Sequence, residues 1–350
     1  MTTVANNTAV LVTGASGFIG TLLVDRLLSR GYRVRALSRN EPPAPPPGLD
    51  TQSADPLRHP DCEFVRGDIL DRDSLARAVR GCTHVYHVAA YAKNWASDPN
   101  IFYQLNVAGM HNVFDAATAA GVEKIVWTST CVTSGPSFDG RLIDENTPRS
   151  TPRFFTEYER TKTIAEHEAL ERAAAGLPVV IVRPTRVYGP GRMTEGNSAS
   201  RLIGDYSRGR MPFLLNFGRN VGNWAYVSDV AEGHILAMER GRCGQCYFLG
   251  GENATLRELF RTIDQVSGRR HLKIPLLFLI PMFSAWLLAM RARVFGIYPP
   301  ITPGWVRTFC HDWPYSCDKA VNELGYRITP LREGIERTLR WLAMIAQTNP

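Results

Sequence analysis

Three glycines, Gly14, Gly17 and Gly20, follow directly on the apolar run Ala9-Val10-Leu11-Val12-Thr13 and lead into Thr21–Leu28, where apolar residues recur with helical period. A short β-forming run, a glycine-rich turn and a helix in immediate succession leave few folds open. Glycines at such a turn let backbone come close to a ligand, and the uncapped start of the following helix favours an anion such as a pyrophosphate. Two residues separate the first two glycines, where the usual dinucleotide fingerprint has one.

The first half of the chain then alternates. Val34–Leu37, Glu63–Val65, His84–Val88, Lys124–Thr128 and Val179–Val182 read as strands, and the stretches 21–30, 72–80, 100–121 and 156–175 read as helices. Alternation of this kind predicts an α/β fold, a doubly wound parallel sheet whose ligand sits at the carboxyl ends of the strands.

Tyr158 and Lys162 lie four apart in TEYERTKTIAEHEALERAA, 28 residues after Thr130 at the hydroxyl-rich strand end Trp127-Thr128-Ser129-Thr130. On a helix that spacing puts phenol and ammonium on one face, and the lysine's charge is expected to lower the tyrosine's pKa, making it a usable acid or base.

These motifs resemble the extended short-chain dehydrogenase/reductases, with Gly-x-x-Gly-x-x-Gly near the N-terminus, a Ser or Thr, and Tyr-x-x-x-Lys. The resemblance runs from about residue 9 to about 343 and includes Gly67-Asp68-Ile69, Val85-Tyr86-His87-Val88-Ala89-Ala90, Asn106-Val107-Ala108-Gly109, Arg183–Gly191 and Asp318–Tyr326. HVAAYAKNWA, GRCGQCYFLGGEN and Ser316–Ala320 look most like the branch of dihydroflavonol-reductase-like, 3β-hydroxysteroid-dehydrogenase-like and hopanoid-associated proteins.

The resemblance implies a Rossmann domain over 8–185 carrying the catalytic residues. A smaller, mostly C-terminal α/β substrate lobe follows over 186–350, with about 220–250 returning to the first domain. It assigns Gly14, Gly17, Phe18, Ile19, Gly20, Ser38, Arg39, Asp68, Ile69, Ala89, Ala90, Asn106, Tyr158, Lys162 and Pro184 to the cofactor. Thr130 would hydrogen-bond the substrate carbonyl and Tyr158 would donate its proton, while Lys162 anchors the ribose and tunes Tyr158. His87 and Tyr188 are the other acids in reach of the motifs; both read as structural. Ser38 and Arg39 end the second strand where an NAD enzyme favours an acid, so NADP(H) is expected over NAD(H).

The substrate is less legible. Dehydratases of the family place Asp-Glu after the hydroxyl residue, whereas this chain has Cys131 and Val132; Ser134 stands where many epimerases carry tyrosine. The stretch 274–290 holds 17 residues without a charge and is followed by Arg291 and Arg293. It is short for a membrane span and contains two prolines. A helix over the substrate cleft and a peripheral membrane contact through 274–298 both favour a lipophilic substrate, with Tyr91, Trp95, Thr130, Phe154 and Trp224 as pocket candidates. The expected function is reduction of a ketone, or oxidation of a secondary alcohol, on a lipophilic small molecule. A nucleotide-sugar epimerase and a non-catalytic NADP-binding sensor are the alternatives.

The 350 residues are 44% hydrophobic and 21% charged, enough for a large core. The net charge of +7 comes from scattered arginines, with no basic run interleaved with aromatics, so nucleic acid is not an expected partner. Seven cysteines form no metal or disulfide framework, and Cys243-Gly-Gln-Cys246 reads as chance spacing in a turn. Metal is therefore not expected. MTTVANNTAVLV lacks the features of a signal peptide, which makes the cytoplasm the expected compartment, with membrane association through 274–298 left as the alternative to a helix packed over the cleft. Glu41–Gly48 reads as a stiff proline loop near the adenine end. The family resemblance implies a homodimer through the helices containing Asn106–Ala120 and Tyr158–Ala175.

Overall fold

The computed structural model describes residues 9–41, 48, 51, 55–192 and 197–348. Most of the proline loop, 42–47, lies outside them. The chain runs β1 (Ala9–Thr13), α1 (Phe18–Ser29), β2 (Arg33–Ser38), β3 (Cys62–Arg66), α2 (Arg72–Val79), β4 (Cys82–His87), α3 (Asn100–Tyr103), a π-helical segment (Gln104–Ala108), α4 (Gly109–Ala119), β5 (Lys124–Thr128), α5 (Glu157–Ala174) and β6 (Val179–Pro184). It continues through β7 (Arg186–Tyr188), α6 (Ser198–Ser207), β8 (Phe213–Leu215), β9 (Val221–Tyr226), α7 (Val227–Arg240), β10 (Cys246–Leu249), β11 (Glu252–Thr255), α8 (Leu256–Ser267), β12 (Ile274–Leu276), α9 (Leu279–Phe295), α10 (Pro303–Phe309) and α11 (Leu331–Thr348).

Seven strands form one sheet in the order β10-β6-β5-β4-β1-β2-β3, every neighbouring pair parallel. The expected strands and helices are all present, with ends shifted by a few residues; α1 starts at Phe18, so Gly20 lies inside the helix. Parallel strands need crossover helices on both faces, and successive residues of one strand therefore enter opposite cores. Val10 and Val12 of β1 pack with Val126, Val180 and α7 on one side. Leu11 packs with Ile125, Trp127, Ile181 and Phe114 on the other. Helix α7 and strand β10, late in sequence, complete this layer, since Val230, Ile235, Tyr247 and Leu249 belong to the first core.

A second lobe is built on the three-stranded sheet β11-β9-β7 and the pair β12-β8. Its core joins Tyr188, Ile203, Tyr206, Trp224, Phe260 and Ile335. The segment around Asp312–Tyr315 bridges to Ser137, Gly222 and Ile143 and so ties the lobe to the loop after β5.

Helix α5, which carries Tyr158 and Lys162, is fixed to β6 by a two-pronged ion pair. Arg183 Nε and Nη2 donate to Glu166 Oε2 and Oε1 at 3.0 and 2.8 Å, with both side chains under a tenth exposed. Removing one partner strands a buried charge. Glu166→Leu is expected to destabilise the fold by about 3–5 kcal/mol, and Glu166→Leu with Arg183→Met to recover most of that loss, in urea denaturation followed by circular dichroism.

Candidate active site

Local sequence sets the floor of the site. Gly14 adopts φ +71°, and a Cβ there would lie 2.7 Å from Ala89 N; a Cβ on Gly20 would lie 2.1 Å from Gly14 O. Helix α1 therefore starts hard against the ends of β1 and β4. Its N-cap, Gly17, supplies no side-chain cap and the first turn holds no acid, so N–H groups remain for an anionic ligand.

A cleft of about 640 Å³ opens at the carboxyl edge of the sheet. Gly14, Gly17, Phe18, Ile19, Gly20, Ser38, Arg39, Asp68, Ile69, Ala89, Ala90, Thr130, Tyr158 and Pro184, all singled out from sequence, line it. Ser38 Oγ is 3.1 Å from Ser16 Oγ, and Arg39 is exposed beside them at the end of β2.

Lys162 and Asn106 stand behind this wall. Asn106 Oδ1 accepts from Tyr91 N at 2.8 Å and its amide donates to Thr161 Oγ1 at 3.1 Å, so its polar atoms hold the loop after β4 onto α5. Lys162, 1% exposed, donates to Thr128 O at 2.7 Å and lies over the Trp127 ring at 4.3 Å. Burial pushes its amine down to about 7, partly offset by Glu166.

The tuning expected of this lysine differs from what the structure shows. Burial pushes the Tyr158 phenol up to about 12, and the group that pulls it back is the hydrogen-bonded hydroxyl of Thr130, with Cys131 nearby adding to the rise. Desolvation outweighs the i to i+4 spacing because the ammonium is turned to a main-chain carbonyl. Thr130 itself is buried, at the start of the short 3₁₀ turn Cys131–Ser134.

Several residues meant for substrate fall elsewhere. Trp224 is 1% exposed, donates Nε1–H to Ala254 O at 3.0 Å and belongs to the core of the second lobe. Tyr91 packs edge-on against Phe102 at 4.8 Å on the first domain's core. Trp95 and Phe154 line a second cavity, of about 870 Å³, that shares Asn94 and Thr156 with the cleft. His87, in contact with Thr13 Oγ1 at 2.7 Å and pushed by burial down to about 3, is structural, and Tyr188 is fully buried in the second lobe.

Ser129 and Arg186 are functional candidates that reading the sequence left aside. Ser129 Oγ is buried at the cleft without a hydrogen-bond partner among the described residues. A buried hydroxyl left open toward a cleft suits a ligand atom. Arg186 lies between the rings of Phe309 and Trp224 at 4.4 and 5.3 Å, donates to Thr308 O at 3.2 Å and is lowered to about 10 by burial. Its place two residues after Pro184 was visible, but its facing aromatics come from β9 and α10.

The glycine cradle, the open helix start and the unpartnered Ser129 together fit a dinucleotide. Residues 10–250 match the model of the NAD dependent epimerase/dehydratase family. The chain belongs to that family. Sterol demethylase protein B of Methylococcus capsulatus is 33% identical over 76% of this chain and 77% of its own length. 2-Alkyl-3-oxoalkanoate reductase of Stenotrophomonas maltophilia is 29% identical over 94% of this chain and 97% of its own. The crystal structure of UDP-glucose 4-epimerase from Thermus thermophilus, in complex with NAD, superposes with a TM-score of 0.73 at 27% identity, covering 96% of this chain and 99% of that one. As a member of this epimerase/dehydratase family, the chain is an NAD(P)-dependent short-chain dehydrogenase/reductase.

Lys162 gives the site a measurable signature. Its amine is near 7 when folded and 10.5 when unfolded, so between those values the unfolded chain binds more protons and stability rises with pH. Urea denaturation of wild type and Lys162→Met at pH 7 and pH 9 should show wild type gaining on the variant, by at most about 1.4 kcal/mol per pH unit. A constant difference would place the lysine in a wetter setting.

Proposed function

We propose that this enzyme transfers hydride between NADP(H) and a ketone or secondary alcohol on a lipophilic small molecule. The observation that carries the reading is the convergence of Thr130, Tyr158 and Ser129 on one cleft wall, with Lys162 directly behind it. A nicotinamide dinucleotide supplies or accepts the hydride when bound. Gly14–Gly20 and the start of α1 would hold its pyrophosphate, and Ser38 with Arg39 a 2′-phosphate.

In the reductive direction Thr130 holds the carbonyl oxygen by its hydroxyl and Tyr158 passes its phenolic proton to that oxygen as charge develops there. A phenol kept protonated by burial is in the correct form to act as the acid. Negative charge left on Tyr158 is then stabilised by Thr130 and by Lys162, whose ammonium is favoured once an anion arrives. Arg186, held between two rings, faces the same cleft and suits an electron-rich or acidic substituent of the substrate.

Support for an apolar substrate comes from the aromatic and aliphatic side chains of the adjoining cavity, Trp95, Phe154, Trp286 and Met290 among them, which share its lining with Glu157, Arg153, Arg160, Arg293 and Arg307. The names of the sterol and alkyl-oxoalkanoate relatives agree with it. An epimerase reading rests on the family's description and the NAD-bound sugar epimerase. It needs interconversion of a sugar without net cofactor use.

Tyr158→Phe should lower kcat for NADPH-dependent reduction of apolar ketones by about 10²–10⁴-fold and leave NADPH affinity within a few fold, read at 340 nm and by fluorescence titration. Full activity in the variant would remove Tyr158 from the mechanism. Arg39→Ala should raise KM for NADPH by about 10–100-fold and spare NADH, as expected for loss of a charged hydrogen bond. Equal effects on both cofactors would end the NADP(H) assignment.

A further inference from the structure

Helix α9 is apolar nearly all round, and what distinguishes its two sides is side-chain size and exposure. At about 100° per residue, Leu279, Ile280, Phe283, Trp286, Leu287, Met290 and Val294 fall within roughly a third of its circumference. Each of these seven is between 46% and 75% exposed, whereas the residues buried on the opposite side are Pro281, Ala285 and Ala292. The helix thus rests on the protein mainly by small side chains, with Leu288 half-buried on the same side, and turns most of its large apolar ones outward. Leu277, Phe295 and Ile297, at or beyond the ends of the helix, are also exposed, at 59%, 69% and 50%. Single exposed apolar residues need no explanation, but a contiguous stripe of this size marks a surface that is covered in use.

The charges around it say what covers it. From Gln265 to His311, 47 residues, there are six lysines and arginines and no aspartate or glutamate; of the six, Lys273 is paired with Asp264 just before the span. On α9 itself Arg291 and Arg293 flank the stripe, one at each edge, and both are exposed. Trp286 sits within it, an amphipathic ring of the kind enriched at bilayer interfaces. Among the described residues no helix is long and apolar enough to cross a membrane, so such a stripe lies on a surface rather than through it.

We propose that α9 docks the enzyme on an anionic lipid bilayer, with the apolar stripe in the headgroup–acyl boundary and the flanking arginines on lipid phosphates. The second cavity makes this contact useful. Trp286, Met290 and Arg293 of α9 form one wall, and Asn94 and Thr156, common to the cavity and the cleft, stand where the two meet. Behind α9, Tyr298 reaches the same loop, accepting from Asn94 N at 3.2 Å and meeting the Trp95 ring at 6.0 Å. The cavity is the passage by which an apolar ketone leaves the bilayer for the cleft; this part of the proposal rests on the reductase reading, and the docking itself does not.

Flotation with vesicles of phosphatidylcholine plus phosphatidylglycerol, against phosphatidylcholine alone, tests it without substrate. Wild type is expected to float with the anionic vesicles, less so as salt is raised. Phe283→Gln with Leu287→Gln should weaken binding at least about tenfold, and Arg291→Gln about fivefold. Neither change touches the residues lining the cavity, and circular dichroism checks that both variants fold. Wild type remaining unbound, or the double variant floating equally well, overturns the docking. So does a dimer in sedimentation that the double variant dissolves, since the stripe would then belong to a second copy. NADPH oxidation with a water-soluble ketone in the same samples separates the two ideas: turnover without flotation sinks the docking alone, and flotation without turnover on any ketone sinks the reductase reading alone.

Discussion

A side chain at Gly20 would place its Cβ 2.1 Å from the carbonyl oxygen of Gly14, and one at Gly14 would strike Ala89. That exclusion decides how close α1 comes to the sheet. Because the helix begins where β1 ends and β4 passes alongside, its free N–H groups open onto the edge at which β4, β5 and β6 also terminate. Each of those strands delivers one part of the site there: Ala89 and Ala90 after β4, Ser129 and Thr130 after β5, Pro184 at the end of β6. Helix α5 is held to β6 by the Glu166–Arg183 pair, so the tyrosine and lysine inherit their position from the same edge. A side chain at either glycine would push α1 away and separate a cofactor's pyrophosphate from the groups that act at its other end.

Burial is the dominant electrostatic force in this site. Two groups whose charged forms attract each other are both driven toward neutrality, the phenol of Tyr158 up to about 12 and the amine of Lys162 down to about 7. Desolvation is the largest cause for both, and each group is engaged elsewhere: the amine with Thr128 O and the Trp127 ring, the phenol with Thr130. Such a site is poised. An anion entering the cleft lowers the cost of the ammonium, and each charge then helps stabilise the other. The i to i+4 spacing in the sequence shows that the two groups share a helix face, but not which oxygen the ammonium has chosen.

Local signals account for what reading the residues in order could recover. The parallel sheet, the glycine turn and most cofactor-facing positions are encoded within short stretches, where hydrophobic period and glycine spacing suffice. Asn106 carries a family motif, yet its amide is spent on Tyr91 and Thr161, two partners 15 and 55 residues away, a fact that spacing cannot disclose. Trp224 and Arg186 show the same limit from opposite sides. Trp224 is an aromatic residue that the second lobe's fold carries into a core. Arg186 is a cation that the same fold carries into the cleft, between rings from β9 and α10. Composition near a motif is a poor guide wherever the second lobe supplies the partner.

The uncharged stretch 274–290 is the sharpest case, because its hydropathy is compatible with a packed helix, a surface helix or part of a span, and only orientation separates them. A helix packed over the cleft would bury its largest side chains and expose its smallest. Here Ala285 and Ala292 are buried while Phe283 and Trp286 are 62% and 52% exposed. Folding alone gives no reason for that choice, since turning the helix by half a revolution would hide several large apolar groups from water at about 25 cal/mol per Å². The orientation makes physical sense if the stripe meets an apolar phase outside the protein, and the absence of any acid from Gln265 to His311 removes the repulsion that an anionic surface would otherwise exert.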